Sequence, residues 1–303
     1  MGTILIGTAD GLYRFGDAAP RLQGRDVGAL APAAGGGLWA LLDRKEVARL
    51  DETGSPVEVL PLDGREGLCL VADGTELLVG TARAHLLVLQ DGRLEPSPAF
   101  DDAPGRRNWY TPWGGPPDTR SLTVAAPGTW LANIHVGGIL RSADRGASWT
   151  PTLDIDDDVH QVVAARAGGP VVAAAAVGLL VSTDGGATWQ RRTDGLHSTY
   201  ARAVAVASDT VLLSASTGPH GARAALYRAP VDGSAELERC PVGEGWFDGN
   251  IDTGWLAAAG DLVAVAVPSG EVGDLYVSAD AGRSWEHVTG GLPPPRWVTI
   301  TMQ

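Results

Sequence analysis

His135, His160 and His197 stand in three separate loop-like segments of a chain with only six histidines. Neutral imidazoles from different loops can hold one divalent transition metal and leave a position open for water or substrate. These three are the expected ligands of such an ion. No H-x-H or H-x-x-x-H spacing accompanies them, so the competing expectation is that each ring hydrogen-bonds locally and packs its own loop. Asp158 precedes His160 by two residues and would orient an imidazole. With the three histidines it forms a candidate catalytic set for a hydrolase or lyase acting on a small molecule.

Arg120 and Arg202 are candidate anion anchors, because a guanidinium can grip a carboxylate or phosphate with two parallel hydrogen bonds. Ion pairs with Asp118, Asp158 or Asp252 are the alternative, and for Arg296 the expected one. Aromatic residues gather in the same segments: Trp109, Tyr110 and Trp113 in one, Tyr200 in a second, Trp246 in a third. They would line a ligand pocket, with Asn250 and Asp252 as polar contacts. Equally, they would cap a small core. The run Asp154, Asp156, Asp157, Asp158 does not match a calcium-loop spacing and reads as a solvated loop.

These segments need a scaffold, and the chain supplies one by repetition. Apolar strands begin near Ile4, Leu38, Leu77, Trp130, Val171, Val211 and Leu262, at intervals of 34 to 53 residues. Each is preceded by another apolar strand: 27–31, 67–71, 121–125, 161–165, 203–207, 254–258 and 297–301. A four-stranded propeller blade takes about 40–45 residues. The expectation is an all-β, seven-bladed β-propeller filling residues 1–303 as one domain; six or eight blades are the alternatives. The strand at 297–301 has no unit after it, and the strand at Ile4 has none before it. The C-terminal strand is therefore expected to complete the N-terminal blade and close the ring, which removes exposed sheet edges.

In such a meander the long connections between blades all end at innermost strands. Here they span roughly 95–120, 151–160, 190–202, 241–253 and 286–296. Long loops on a rigid scaffold are where function concentrates. The mouth of the central channel on that face is the expected site. His135 joins it from a turn on the same side.

Three short segments share one pattern, Ser-x-Asp-x-Gly-x-x-Trp: Ser142 to Trp149, Ser182 to Trp189 and Ser278 to Trp285. The Asp carboxylate can collect backbone N–H groups of a tight turn, the Gly takes a positive φ, and the Trp returns to the sheet. The pattern resembles the Asp-box, or BNR, repeat of sialidase-like β-propellers. The resemblance implies the fold and turns opposite the functional mouth. It does not imply sialidase chemistry. Those enzymes carry an early Phe/Tyr-Arg-Ile-Pro motif, where this chain has Leu12-Tyr13-Arg14-Phe15, and a Tyr–Glu pair for which no Glu stands beside Tyr110 or Tyr200. Photosystem assembly factors and sortilin-type receptors are similar too, the first with a targeting segment or lipid anchor, the second with disulfides.

Net charge is −13 with 41 Gly and 20 Pro. An acidic body repels nucleic acid and anionic membrane, so neither is an expected partner. Cys69 and Cys240 fit no metal spacing, and the N-terminus lacks a signal-peptide pattern. The expected setting is cytoplasmic. Two function classes remain. One is an enzyme on a small polar or anionic molecule, metal-assisted if the histidines converge. The other is a non-catalytic propeller binding a ligand or a protein. Glycoside hydrolysis ranks below both.

Overall fold

The computed structural model describes residues 2–17 and 19–302. Seven antiparallel sheets follow one another around a ring. Blade one combines the C-terminal strand Pro295–Met302 with Gly2–Thr8 and Gly11–Arg14. Blade two runs Val27–Pro32, Leu38–Leu42, Glu46–Leu50, Pro56–Pro61. Blade three runs Gly67–Asp73, Glu76–Thr81, His85–Gln90, Arg93–Pro96. Blade four holds Thr119–Ala126, Thr129–Ile134, Gly138–Ser142, Thr150–Pro151. Blade five holds Val159–Ala164, Val171–Ala175, Gly178–Ser182, Gln190–Arg192. Blade six is Tyr200–Ala207, Thr210–Ser216, Ala225–Pro230, Glu238–Arg239, and blade seven Leu256–Ala259, Leu262–Ser269, Val272–Ser278, Glu286–Leu292.

The ring closes as the repeat predicts. Thr3 pairs with Thr301, Ile4 with Ile300 and Ile6 with Val298. Blade one departs from the four-strand expectation. Its outer edge is a single bridge, Leu12 to Arg21, in place of a fourth strand. The segment 286–292 is also not part of a connection but the outer strand of blade seven, which leaves only 293–294 to link it to the closing strand.

Apolar residues run unbroken along second strands such as Leu38–Leu42 and Val171–Ala175, buried throughout, so these blades pack against their neighbours on both faces. Leu131, Ile139, Val159, Val162 and Val171 form the seam between blades four and five. Val204, Val211 and Leu213 of blade six meet Val172, Leu179 and Val181 of blade five.

The Asp-boxes are turns between third and fourth strands. Ser182 Oγ donates to Asp184 Oδ1 at 2.8 Å, and the Gly186 N–H donates to Ser182 Oγ at 2.8 Å. The Thr188 N–H donates to Asp184 Oδ1 at 2.9 Å and the Thr188 hydroxyl to Oδ2 at 2.6 Å. Gly186 sits at φ 84°, the left-handed region that favours glycine. Asp144 and Asp280 repeat the arrangement. Strand direction puts all three boxes on the face opposite the inter-blade connections.

A polar cluster at the channel mouth

The innermost strands share a local device. Where six of the seven enter the mouth, all but that of blade seven, one extra residue is inserted against the partner strand. The skipped positions are Gly28, Leu68, Arg120, His160 and Arg296, and one of the pair Arg202 and Ala203. A bulge of this kind re-aims a side chain away from the regular pleat. Three consecutive blades thus present Arg120, His160 and Arg202 at equivalent places. Arg296 has the same position but is spent on Asp26, Nη2 to Oδ2 at 3.1 Å.

His160 is fully buried. Its Nδ1 lies 2.6 Å from the carbonyl oxygen of Ala201. A carbonyl only accepts, so Nδ1 carries the proton and Nε2 of the neutral ring presents a lone pair. Nε2 is 3.5 Å from Asp158 Oδ2, without hydrogen-bond geometry. Asp158 Oδ1 is 3.8 Å from His135 Nε2. Asp158 therefore lies between two imidazoles. The rest of the acidic run is local. Asp154 caps its own turn by accepting from the Asp156 N–H at 3.0 Å, and Asp157 pairs with Arg191 at 2.7 Å.

Burial first, and the Arg120 guanidinium second, push His135 down to about 4, so its ring is neutral at neutral pH. Trp113 covers it, ring centroids 4.9 Å apart. Burial and the nearby Arg202 charge lower the pKa of Arg120, against the pull of Asp252 and Asp158. Arg202 Nη1 reaches Asp252 Oδ2 at 3.3 Å. Arg120 makes no ion pair among the described residues, and its Nη1, sealed from solvent, has no hydrogen-bond partner. Tyr200 packs its ring 4.8 Å from His160 and 6.0 Å from the Arg202 guanidinium, and burial raises its phenol pKa.

Two residues here hold unfavourable backbone angles. Asp158 has φ 45° and Val136, next to His135, has φ 44°. A β-branched residue in the left-handed region is strained, and such strain clusters at functional sites.

Sequence reasoning missed Asn133. Its side chain is fully buried, and both Nδ2 and Oδ1 lack partners. Strand alternation places it on the same face as Leu131, toward blade five. The signal was available: it is the one polar side chain amid Trp130, Leu131, Ala132 and Ile134.

Other expected site residues are placed elsewhere. His197 bonds Tyr227 through Nδ1 at 2.6 Å and stacks on that ring, over the third strand of blade six. Trp246 meets it edge-on and lies between the Arg223 and Arg239 guanidinium groups at 4.6 and 4.5 Å. Among the described residues no three His, Cys, Asp or Glu side chains are grouped to hold a metal ion. The three-imidazole ligand set of His135, His160 and His197 is therefore not assembled. Trp109 is a core residue between blades three and four, packed near Phe100 and stacked under Arg106. Asn250 accepts from Ser216 Oγ at 2.6 Å and donates to Pro219 O at 3.1 Å, which fixes the loop before blade seven. Tyr110 and Trp113 stay on the rim, 46% and 73% exposed.

The BNR/Asp-box repeat family matches residues 180–191, the second box. The comparison with curated proteins finds no match. Among solved structures, a GH74 xyloglucanase from Xanthomonas campestris superposes with TM-score 0.62 at 16% identity over 95% of this chain. The chain spans 46% of that enzyme. YCF48 bound to D1 peptide gives TM-score 0.58 at 17% identity, covering 86% of this chain and 81% of that one. The WD40 repeats of RRP9 give 0.62 at 15% identity, covering 88% and 81%. At such identities the likeness is one of fold. With its ring of seven sheets, the chain is a seven-bladed β-propeller whose Ser-x-Asp-x-Gly-x-x-Trp turns are similar to the BNR/Asp-box repeat.

Proposed function

We propose that the mouth beside blades four to six binds a small anionic ligand, in the first place a carboxylate, and that the chain works as a ligand-binding propeller. One observation carries this reading. Arg120 makes no ion pair among the described residues and its buried Nη1 has no protein partner, while a second guanidinium, Arg202, is near enough to depress its pKa. A cation taken out of water costs free energy that only an opposite charge or several hydrogen bonds offset. A bound anion supplies both. The acidic body around this well favours a small anion over a polyanion.

The structural neighbours leave catalysis open. One is named a xyloglucanase and another was solved with a peptide, and a propeller hosts either kind of function. A second reading, general acid–base catalysis on the same ligand, draws on the His160 Nε2 lone pair beside Asp158. It predicts that His160→Gln preserves ligand binding and removes turnover.

The anion reading is tested by titrating acetate, malonate and phosphate against the protein and its Arg120→Gln variant, with melting temperature and calorimetry as readouts. Saturable stabilisation of the unmodified protein, lost in the variant, is the expected result. The absence of binding by all three at millimolar concentration would overturn it.

A further inference from the structure

Seven buried side-chain atoms in the described residues lack a hydrogen-bond partner; four belong to Arg120, Asp158, His160 and Arg202 at this mouth, and two to Asn133 on the neighbouring strand of blade four. They divide by chemistry. Arg120 Nη1, Arg202 Nε and Asn133 Nδ2 are donors. Asp158 Oδ1, Asn133 Oδ1 and, in the neutral ring, His160 Nε2 are acceptors. Buried polar groups are paired in the great majority of cases, so an unspent set of this size at one place describes the complement of what sits there.

The charges divide in the same way. Arg202 and Asp252 are already paired with each other. Arg120 and Asp158 share the cluster, and each shifts the pKa of His135, yet they form no ion pair with one another. One positive and one negative group are left, each with an atom unpartnered. The acceptor side is also crowded. With its proton on Nδ1, the neutral His160 ring turns Nε2 toward the Asp158 carboxylate at 3.5 Å, so that two acceptors face each other. Two acceptors so placed are reconciled by a donor with more than one N–H, and an ammonium group has three.

We propose that the ligand of this mouth is zwitterionic, a free α-amino acid. Its carboxylate meets Arg120, Arg202 and the Asn133 amide nitrogen. Its ammonium meets Asp158 and His160. The proposal rests on the anion reading above and adds a second, cationic pole to it.

The test is calorimetric titration of the full chain with the twenty L-α-amino acids, each beside three matched compounds. One is the 2-hydroxy acid, one the acid with no 2-substituent, and one the amine with no carboxylate. For the amino acid that binds best, affinity is expected to exceed that of the matched unsubstituted acid by about tenfold or more, the worth of hydrogen bonds to a charged group. Asp158→Asn is expected to bring that ratio to about one while leaving the acid's own affinity in place, and Arg120→Gln to remove both. An acid that binds the unmodified protein as tightly as its amino acid overturns the second pole and leaves the anion reading standing. So does a ratio unchanged in Asp158→Asn. If neither acids nor amino acids bind, both readings fall, and bridging waters satisfy the six atoms. The ligand series on the unmodified protein decides the matter even where a variant fails to fold.

Discussion

The imidazole of His160 is fastened through Nδ1 to the carbonyl oxygen of Ala201, 2.6 Å away across the seam between blades five and six. This bond sets both the tautomer and the aim of the ring. Thr253 Oγ1 closes the same seam, 3.2 Å from the carbonyl oxygens of both His160 and Arg202. Gln161 Oε1 accepts from the Val204 N–H at 3.1 Å. Three blades are thus tied together directly beneath the polar cluster. Rigid support of this kind is what a preorganised site needs.

The tautomer is directly observable. In its neutral form His160 should carry its proton on Nδ1, contrary to the usual preference of the free ring. A long-range nitrogen–proton NMR spectrum with selectively labelled histidine reads this. A neutral His160 protonated on Nε2 would mean that the Ala201 bond is not made.

His135 should titrate far from the ordinary range. Its folded value is pushed down to about 4, first by burial and then by Arg120, from an unfolded value of about 6.5. Between the two values the unfolded ring holds a proton and the folded one does not. Stability is therefore full above about pH 6.5, falls as the pH drops toward 4, and levels off below. His135→Gln should flatten that window in a melting-temperature profile. Arg120→Gln should raise the His135 midpoint, read by NMR. A midpoint near 6.5 in the unmodified protein would contradict the burial.

The fold was legible because its signals are local and repeated. Ser182, Asp184, Gly186 and Trp189 specify a turn within eight residues, and the strand periods around them need no long-range information. Closure was legible because an inner strand with no successor left one place for 297–301. The site was legible only in part. Arg120, Asp158, His160 and Arg202 flank innermost strands, which topology alone sends to the mouth. His197 stands in an equivalent connection, yet Tyr227 on an outer strand of the same blade captures its ring. Trp109 follows a short helix, Pro98–Asp101, that draws its loop into the core through Phe100. Neither partner is near in sequence, so neither outcome follows from spacing. Asn133 stands out in the sequence as a polar side chain amid Trp130, Leu131, Ala132 and Ile134, but that it has no partner is a property of the folded state.

The Asp-boxes should govern acid stability and leave ligand binding alone. The Thr188 hydroxyl and N–H, then the Ser182 hydroxyl, hold the Asp184 carboxyl well below the usual carboxylate range. Hydrogen bonds from Ser284 do the same for Asp280 and those from Ser148 for Asp144. Groups with depressed values contribute stability above the unfolded pKa, near 4, and lose it as the pH falls through the folded value. Asp184→Ala should cost about 1 kcal/mol at neutral pH, the scale of an exposed turn's hydrogen bonds, and less in strong acid. The affinity of the folded protein for any mouth ligand should not change. A weakened affinity would place the box on the functional face and undo the assignment of faces.

Arg120 should stabilise the bound state at the expense of the free one. Its guanidinium is largely buried near a like charge, and its sealed Nη1 has no hydrogen-bond partner. Replacing a buried, poorly paired charge with an apolar group of similar length is often stabilising. Arg120→Met should therefore raise the unfolding free energy of the ligand-free protein by about 1 kcal/mol, as function-relieving substitutions commonly do. The same variant should lose the stabilisation that acetate or an amino acid confers. Chemical denaturation with and without ligand measures both. A ligand-free variant less stable than the parent would show that Arg120 is already satisfied within the fold, and the case for an anion at this mouth would lose its main support.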